Sequence, residues 1–121
     1  MNAVPRDVDD RAARAARNQS LFREVNERMQ ELNETFSEIT IGPGDWVCEC
    51  ANESCIELAR LTVEEYEAVR AKPNRFFVMP DDAHVWPEVE QVVERTDRYW
   101  IVEKYGPASV VAAEADPRGR G

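Results

Sequence analysis

Cys48, Cys50 and Cys55 are all the cysteines of the chain, and they fall within the stretch Trp46-Val47-Cys48-Glu49-Cys50-Ala51-Asn52-Glu53-Ser54-Cys55. Thiolates are soft ligands, and three at this spacing supply three corners of a tetrahedral zinc site. The single histidine, His84, is the natural fourth ligand, with Asp81, Asp82 or a water as substitutes. Glu49 between two cysteines and the polar turn after them suit a purely apolar core poorly, which favours a metal over buried free thiols. Four protein ligands would close the site and make it structural, whereas an open position would make it catalytic. The same residues also support a redox switch, in which oxidation expels the metal and pairs the thiols. A Cys/His nucleophile is a further use, less consistent with the clustering of all three cysteines. Trp46 and Trp86 flank the ligands, either as a shield or as ordinary core aromatics.

No other motif suggests catalysis. The chain has no Gly-rich phosphate loop, no G-x-S-x-G and no H-E-x-x-H, and its carboxylates read as solvated faces. With 24 acidic against 15 basic residues and a net charge of −9, a phosphate backbone is a poor partner and a basic protein surface a better one. An odd cysteine count does not close a disulfide framework, and no apolar signal segment or membrane-length run is visible. A reducing cytoplasm is therefore the expected compartment.

The elements that must position the ligands follow from pattern and punctuation. From about Asp10 to Ile41 no Gly or Pro interrupts the chain, and Phe22, Val25, Met29, Leu32, Phe36 and Ile39 recur at alternating steps of three and four. This predicts one long helix with an apolar stripe, covered by the chain's own sheet, by a second copy or by another protein. Asn18 continues the row toward the N-terminus, either as a polar register-setting seam residue or, with Gln19, Asn26 and Asn33, as a solvated one. Gly42-Pro43-Gly44 ends the helix. Asp45 to Ala51 alternates as a strand with Cys48 and Cys50 on one side, and a turn at Asn52-Glu53-Ser54 brings Cys55 back at the head of a second strand to Leu61.

Thr62-Val63-Glu64-Glu65 is a capping box that opens a short helix to about Ala71. Arg75 to Met79 reads as a buried strand, and Pro80 to His84 as a loop. Pro87 to Arg95 fits either a helix opened by the proline or the first strand of a hairpin, with the β-branching of Val89, Val92 and Val93 favouring the strand, and Tyr99 to Tyr105 reads as the clearest strand. The expectation is an α+β fold, with a long N-terminal helix packed on a small antiparallel sheet and a zinc knuckle at one end. It divides into a helical arm (1–41), an α+β body (42–106) and a disordered tail (107–121).

Three blocks, Asn18 to Arg28, Val47-Cys48-Glu49-Cys50 with Cys55, and Arg98 to Lys104, resemble a family of small actinobacterial proteins. The stretch Leu61 to Arg70 fits it too. The resemblance implies a His before the last hairpin, matching His84, while Ala83 stands where a Gly is more usual. It brings no settled activity. The expected function is a small, non-enzymatic interaction or regulatory protein stapled by zinc, with a zinc-thiolate redox switch as the alternative.

Overall fold

The structure, a computed structural model, describes residues 3–39, 42–52 and 54–117, and within the first helix the side chains of 17–35. The fold is α+β. Helix α1 runs from Ala3 to Ile39, starting before the predicted Asp10, and at 1.5 Å per residue it spans about 55 Å. Strands β1 (Gly44–Val47) and β2 (Leu58–Leu61) form an antiparallel pair, with Gly44 opposite Leu61 and Val47 opposite Leu58.

Helix α2 (Val63–Arg70) opens on the predicted capping box. Thr62 Oγ1 accepts from Glu65 N at 3.1 Å, and Thr62 N donates to Glu65 Oε1 at 2.8 Å. Strands β3 (Arg75–Val78), β4 (Glu90–Arg95) and β5 (Trp100–Lys104) form a second antiparallel sheet in the order β3-β5-β4. Two small sheets therefore replace the single one expected. The backbone bond from Glu49 N to Phe77 O, at 3.0 Å, joins them.

Strands β3 and β5 of the second sheet are covered on both faces, whereas the edge strand β4 is largely exposed. Phe77, Tyr99 and Ile101 pack with Trp46, Ala59, Leu61, Tyr66 and Val69, so β1, β2 and α2 cover one side. Phe76, Val78 and Val102 pack with Cys48, Cys50 and Ala112 on the other. Trp46 belongs to the first of these cores. Its ring stacks on Tyr66 at 4.1 Å and its indole N–H reaches Leu61 O at 2.9 Å.

The expected disorder after Gly106 is corrected by helix α3 (Pro107–Glu114), which packs on α1 and β5. Pro107 takes the first helical turn, where its missing N–H costs nothing, and Ala108 and Ala112 bury one helical face. Beyond it, Asp116 is buried against Arg70, with contacts of 2.6 and 3.2 Å. Arg70 also holds Glu27 of α1 at 3.1 Å, tying α1, α2 and this end of the chain together.

Helix α1 does not dock by its apolar stripe. Gln19, Arg23 and Asn26 are buried, whereas Leu21, Val25 and Leu32 are 58%, 43% and 71% exposed. Phe22 and Met29 are half-buried at the margin, and the side chains of Phe36 and Ile39 lie outside the described residues. Gln19, Asn26 and Asn33, read as solvated, are instead anchors. The amide of Asn26 pairs with both the N–H and the C=O of Val47, at 2.8 Å each, in the manner of an added strand at the edge of β1. Asn33 Nδ2 donates to Asp45 O at 3.1 Å. Asn33 also lies so close over Gly44 that a Cβ there would collide with its side chain.

Candidate metal centre

The three cysteines and His84 converge. One ligand atom from each of Cys48, Cys50, Cys55 and His84 lies within 4.8 Å of all the others. Cys48 and Cys50 leave the end of β1 on the buried side. Asn52 then makes the turn, its carbonyl accepting from Cys55 N at 3.0 Å and its side chain accepting from Ser54 N at 3.0 Å. Asp81 caps a 3-10 turn, Asp82–His84, through Ala83 N at 2.8 Å, and that turn delivers His84. Asp81 and Asp82 are exposed and stand outside the cluster, so His84 and not a carboxylate joins the thiols.

Zn–S bonds of about 2.3 Å and Zn–N bonds of about 2.0–2.1 Å at tetrahedral angles put sulfur and nitrogen about 3.6 Å apart. His84 Nδ1 lies 3.7 Å from Cys48 Sγ and 3.9 Å from Cys55 Sγ. The spacing fits one cation at the centre. Met79 N donates to Cys48 Sγ at 3.3 Å, a contact that offsets thiolate charge. On its far side His84 Nε2 lies 2.7 Å from Glu57 Oε2. That arrangement fixes the ring with Nε2 protonated and Nδ1 free to ligate.

Glu57 escapes a reading of the sequence, because one glutamate near a strand start carries no distinguishing signal among 24 acidic residues.

The protonation pattern has the same origin. The hydrogen bond from Cys48 lowers the Cys50 thiol to about 5 against the opposing pull of burial, and His84 assists. The Cys48 thiol is driven far upward by its hydrogen bond to Cys50 and then by burial. Cys55 is raised first by burial. Burial pulls His84 down, but Cys50 and Glu57 outweigh it and the net shift is upward. Thiols packed this closely compete for charge, and a bound cation would relieve that competition.

Glu49, expected to face away from Cys48 and Cys50, does so, but into protein and not into water. It is fully buried. Its carboxylate accepts from Arg23 at 2.8 and 3.2 Å, from Asn26 Nδ2 at 3.0 Å and from Phe77 N at 3.4 Å. Arg23 also donates to Arg75 O and lies over the Phe76 ring at 4.2 Å. A second buried pair, Lys104 with Glu90 at 2.8 Å, is bridged to the helix by Gln19 Nε2, which donates to Glu90 Oε1 at 3.1 Å and to Glu49 O at 3.0 Å. The picture of carboxylates as solvated faces therefore fails at Glu49, Glu90 and Asp116.

A cavity of about 250 Å³ opens beside the cluster, lined by Cys50, Ala51, Asn52, Ala83, His84, Val85 and Trp86. Trp86 thus borders the Cys/His cluster, while Trp46 is a core residue.

No family model matches the chain, and neither a curated protein nor a solved structure is similar to it. The resemblance to actinobacterial proteins gains nothing from these comparisons; the Cys/His cluster rests on the structure alone. Among the described residues no helix is long and apolar enough to cross a membrane.

Proposed function

We propose that this chain is a small, non-enzymatic interaction protein whose body is stapled by one zinc ion held by Cys48, Cys50, Cys55 and His84. The observation that carries this reading is the convergence of four ligand atoms within 4.8 Å, with His84 Nδ1 turned to the thiols by Glu57. Three thiolates and an imidazole in a tetrahedral set suit zinc among the common divalent ions. Four protein ligands leave no coordination position for a substrate, which separates the site from catalytic zinc centres. The exposed row Leu21, Val25 and Leu32, with Phe22 and Met29 at its margin, supplies a surface for another protein or a second copy of the chain.

The test is the zinc content of reduced protein, by elemental analysis and native mass spectrometry, beside Cys48→Ser and His84→Ala. The expected result is one zinc per chain, lost or weakened in both variants. A wild-type protein that takes up no zinc would overturn the reading. The cavity that reaches Cys50 favours a second role for the same ligands, a zinc-thiolate switch open to a small oxidant. Reversible zinc release under mild peroxide supports that role, and full retention of zinc rejects it.

A further inference from the structure

We propose that metal binding at the knuckle and docking of α1 form one linked equilibrium, with Glu49 as the coupling residue, so that metal occupancy holds the helix on the body and metal loss frees it. The inference rests on the metal-site reading above. Residues Cys48-Glu49-Cys50 alternate, so the two cysteines face the cluster while the side chain between them faces the helix. Five side chains of α1 end on this short segment and its flanks. Asn18 reaches Ala51 O at 3.4 Å, Gln19 reaches Glu49 O, Arg23 reaches the Glu49 carboxylate, Asn26 reaches Val47 and Glu49, and Asn33 reaches Asp45 O.

The chemistry of this interface makes it responsive. Apolar contacts are non-directional and tolerate small displacements, whereas hydrogen bonds weaken steeply as distance and angle degrade. The stretch of α1 that carries these amides and the guanidinium therefore depends in part on where segment 45–51 holds its acceptors, beside its separate contacts with Glu90, Arg75, Arg70 and α3. Beyond Val47 that segment has left the β1–β2 ladder. Its backbone is fixed by Cys48 N to Glu57 O and Glu49 N to Phe77 O, both 3.0 Å, and its side chains by the metal ligands on one side and the helix on the other. Withdrawing the cation removes the restraint on Cys48 and Cys50 and lets Glu49 move. Freed of the body, α1 would expose Gln19, Arg23 and Asn26, which are buried in the docked state, beside its apolar row.

Coupling of this kind is reciprocal: the factor by which zinc favours docking is the factor by which docking favours zinc. Two measurements on the full chain test it. Hydrogen exchange with and without zinc is expected to show protection of residues 18–33 falling on chelation while β3 and β5 stay protected. Zinc affinity, by competition with a chelating dye, is expected to fall about 5-fold or more in Asn26→Ala, with the exposed-face control Arg28→Ala unchanged. Gln19→Ala serves if Asn26→Ala does not fold. Equal protection of 18–33 in both states, equal loss across the whole chain, or an affinity unchanged in the docking variant would each overturn the linkage while leaving the zinc site intact. Absence of zinc binding by the wild type would instead sink the metal site itself.

Discussion

Glu49→Ala tests the buried ion pair that joins the knuckle to α1. The carboxylate is fully buried and accepts two hydrogen bonds from Arg23, one from Asn26 and one from Phe77 N. Truncation leaves the guanidinium of Arg23, whose side chain is 1% exposed, without its counter-ion. Breaking one side of a buried pair costs about 3–5 kcal/mol. The remaining contacts of Arg23 with Arg75 O and the Phe76 ring place the expected value near the lower end, about 3 kcal/mol. At about 4 °C per kcal/mol for a chain of this size, the thermal midpoint drops by roughly 12 °C.

Urea titration at saturating zinc gives the free energy directly, and an unchanged m-value would show that only stability moved. Arg23→Met combined with Glu49→Leu removes both charges, and is expected to recover much of the loss. A loss within about 1 kcal/mol of wild type for Glu49→Ala alone would refute the buried-pair reasoning. A double variant as unstable as the single one would show that the amide contacts of Asn26, not the ion pair, carry the energy.

Three further outcomes follow from other contacts. Glu57→Ala removes the acceptor that orients His84 and is expected to weaken zinc binding about 10–100-fold at unchanged stoichiometry; an unaltered affinity would rule out that orienting role. Asp116→Ala removes one of the two carboxylates that hold the buried Arg70 among the described residues and is expected to cost about 2–3 kcal/mol by chemical denaturation. A neutral result there would mean that α3 and the residue after it add little to the core. The hydrogen bond from Arg98 holds the Glu65 carboxyl below its ordinary 4.5, outweighing partial burial. Its contribution is therefore complete above pH 4.5 and fades as pH falls through the lower folded value, so the stability gap between wild type and Arg98→Ala closes in acid. Both side chains are partly exposed, so the gap is below about 1 kcal/mol, and a gap that widened in acid would reverse the assignment.

The Cys/His cluster was legible because three cysteines within eight residues and a single histidine are the chain's soft and borderline donors, although their use as metal ligands was one of several readings. The capping box at Thr62 was legible because its contacts span three residues. Strand β5 was readable from its aromatic and β-branched run, whereas β4 was only favoured as a strand over a helix opened by Pro87. Helix α3 was missed because Gly106-Pro107 reads as a break near a chain end. Its anchors, Arg70 for Asp116 and the core around Phe76 and Val102 for Ala112, come from distant segments.

The sequence alone determined that α1 is a helix and that it carries an apolar row, since periodicity reports the geometry of an element and the pattern of oil and water along it. Only the tertiary structure decided which face meets the body. Gln19, Arg23, Asn26, Gln30 and Asn33 recur at the same steps of four and three as the apolar residues, so periodicity does not rank one row above the other. Gln19, Arg23 and Asn26 of the polar row are buried because Glu49, 30, 26 and 23 residues away from them, supplies an acceptor to each. A buried polar group is tolerable only beside its partner, and which partner arrives is settled by the fold.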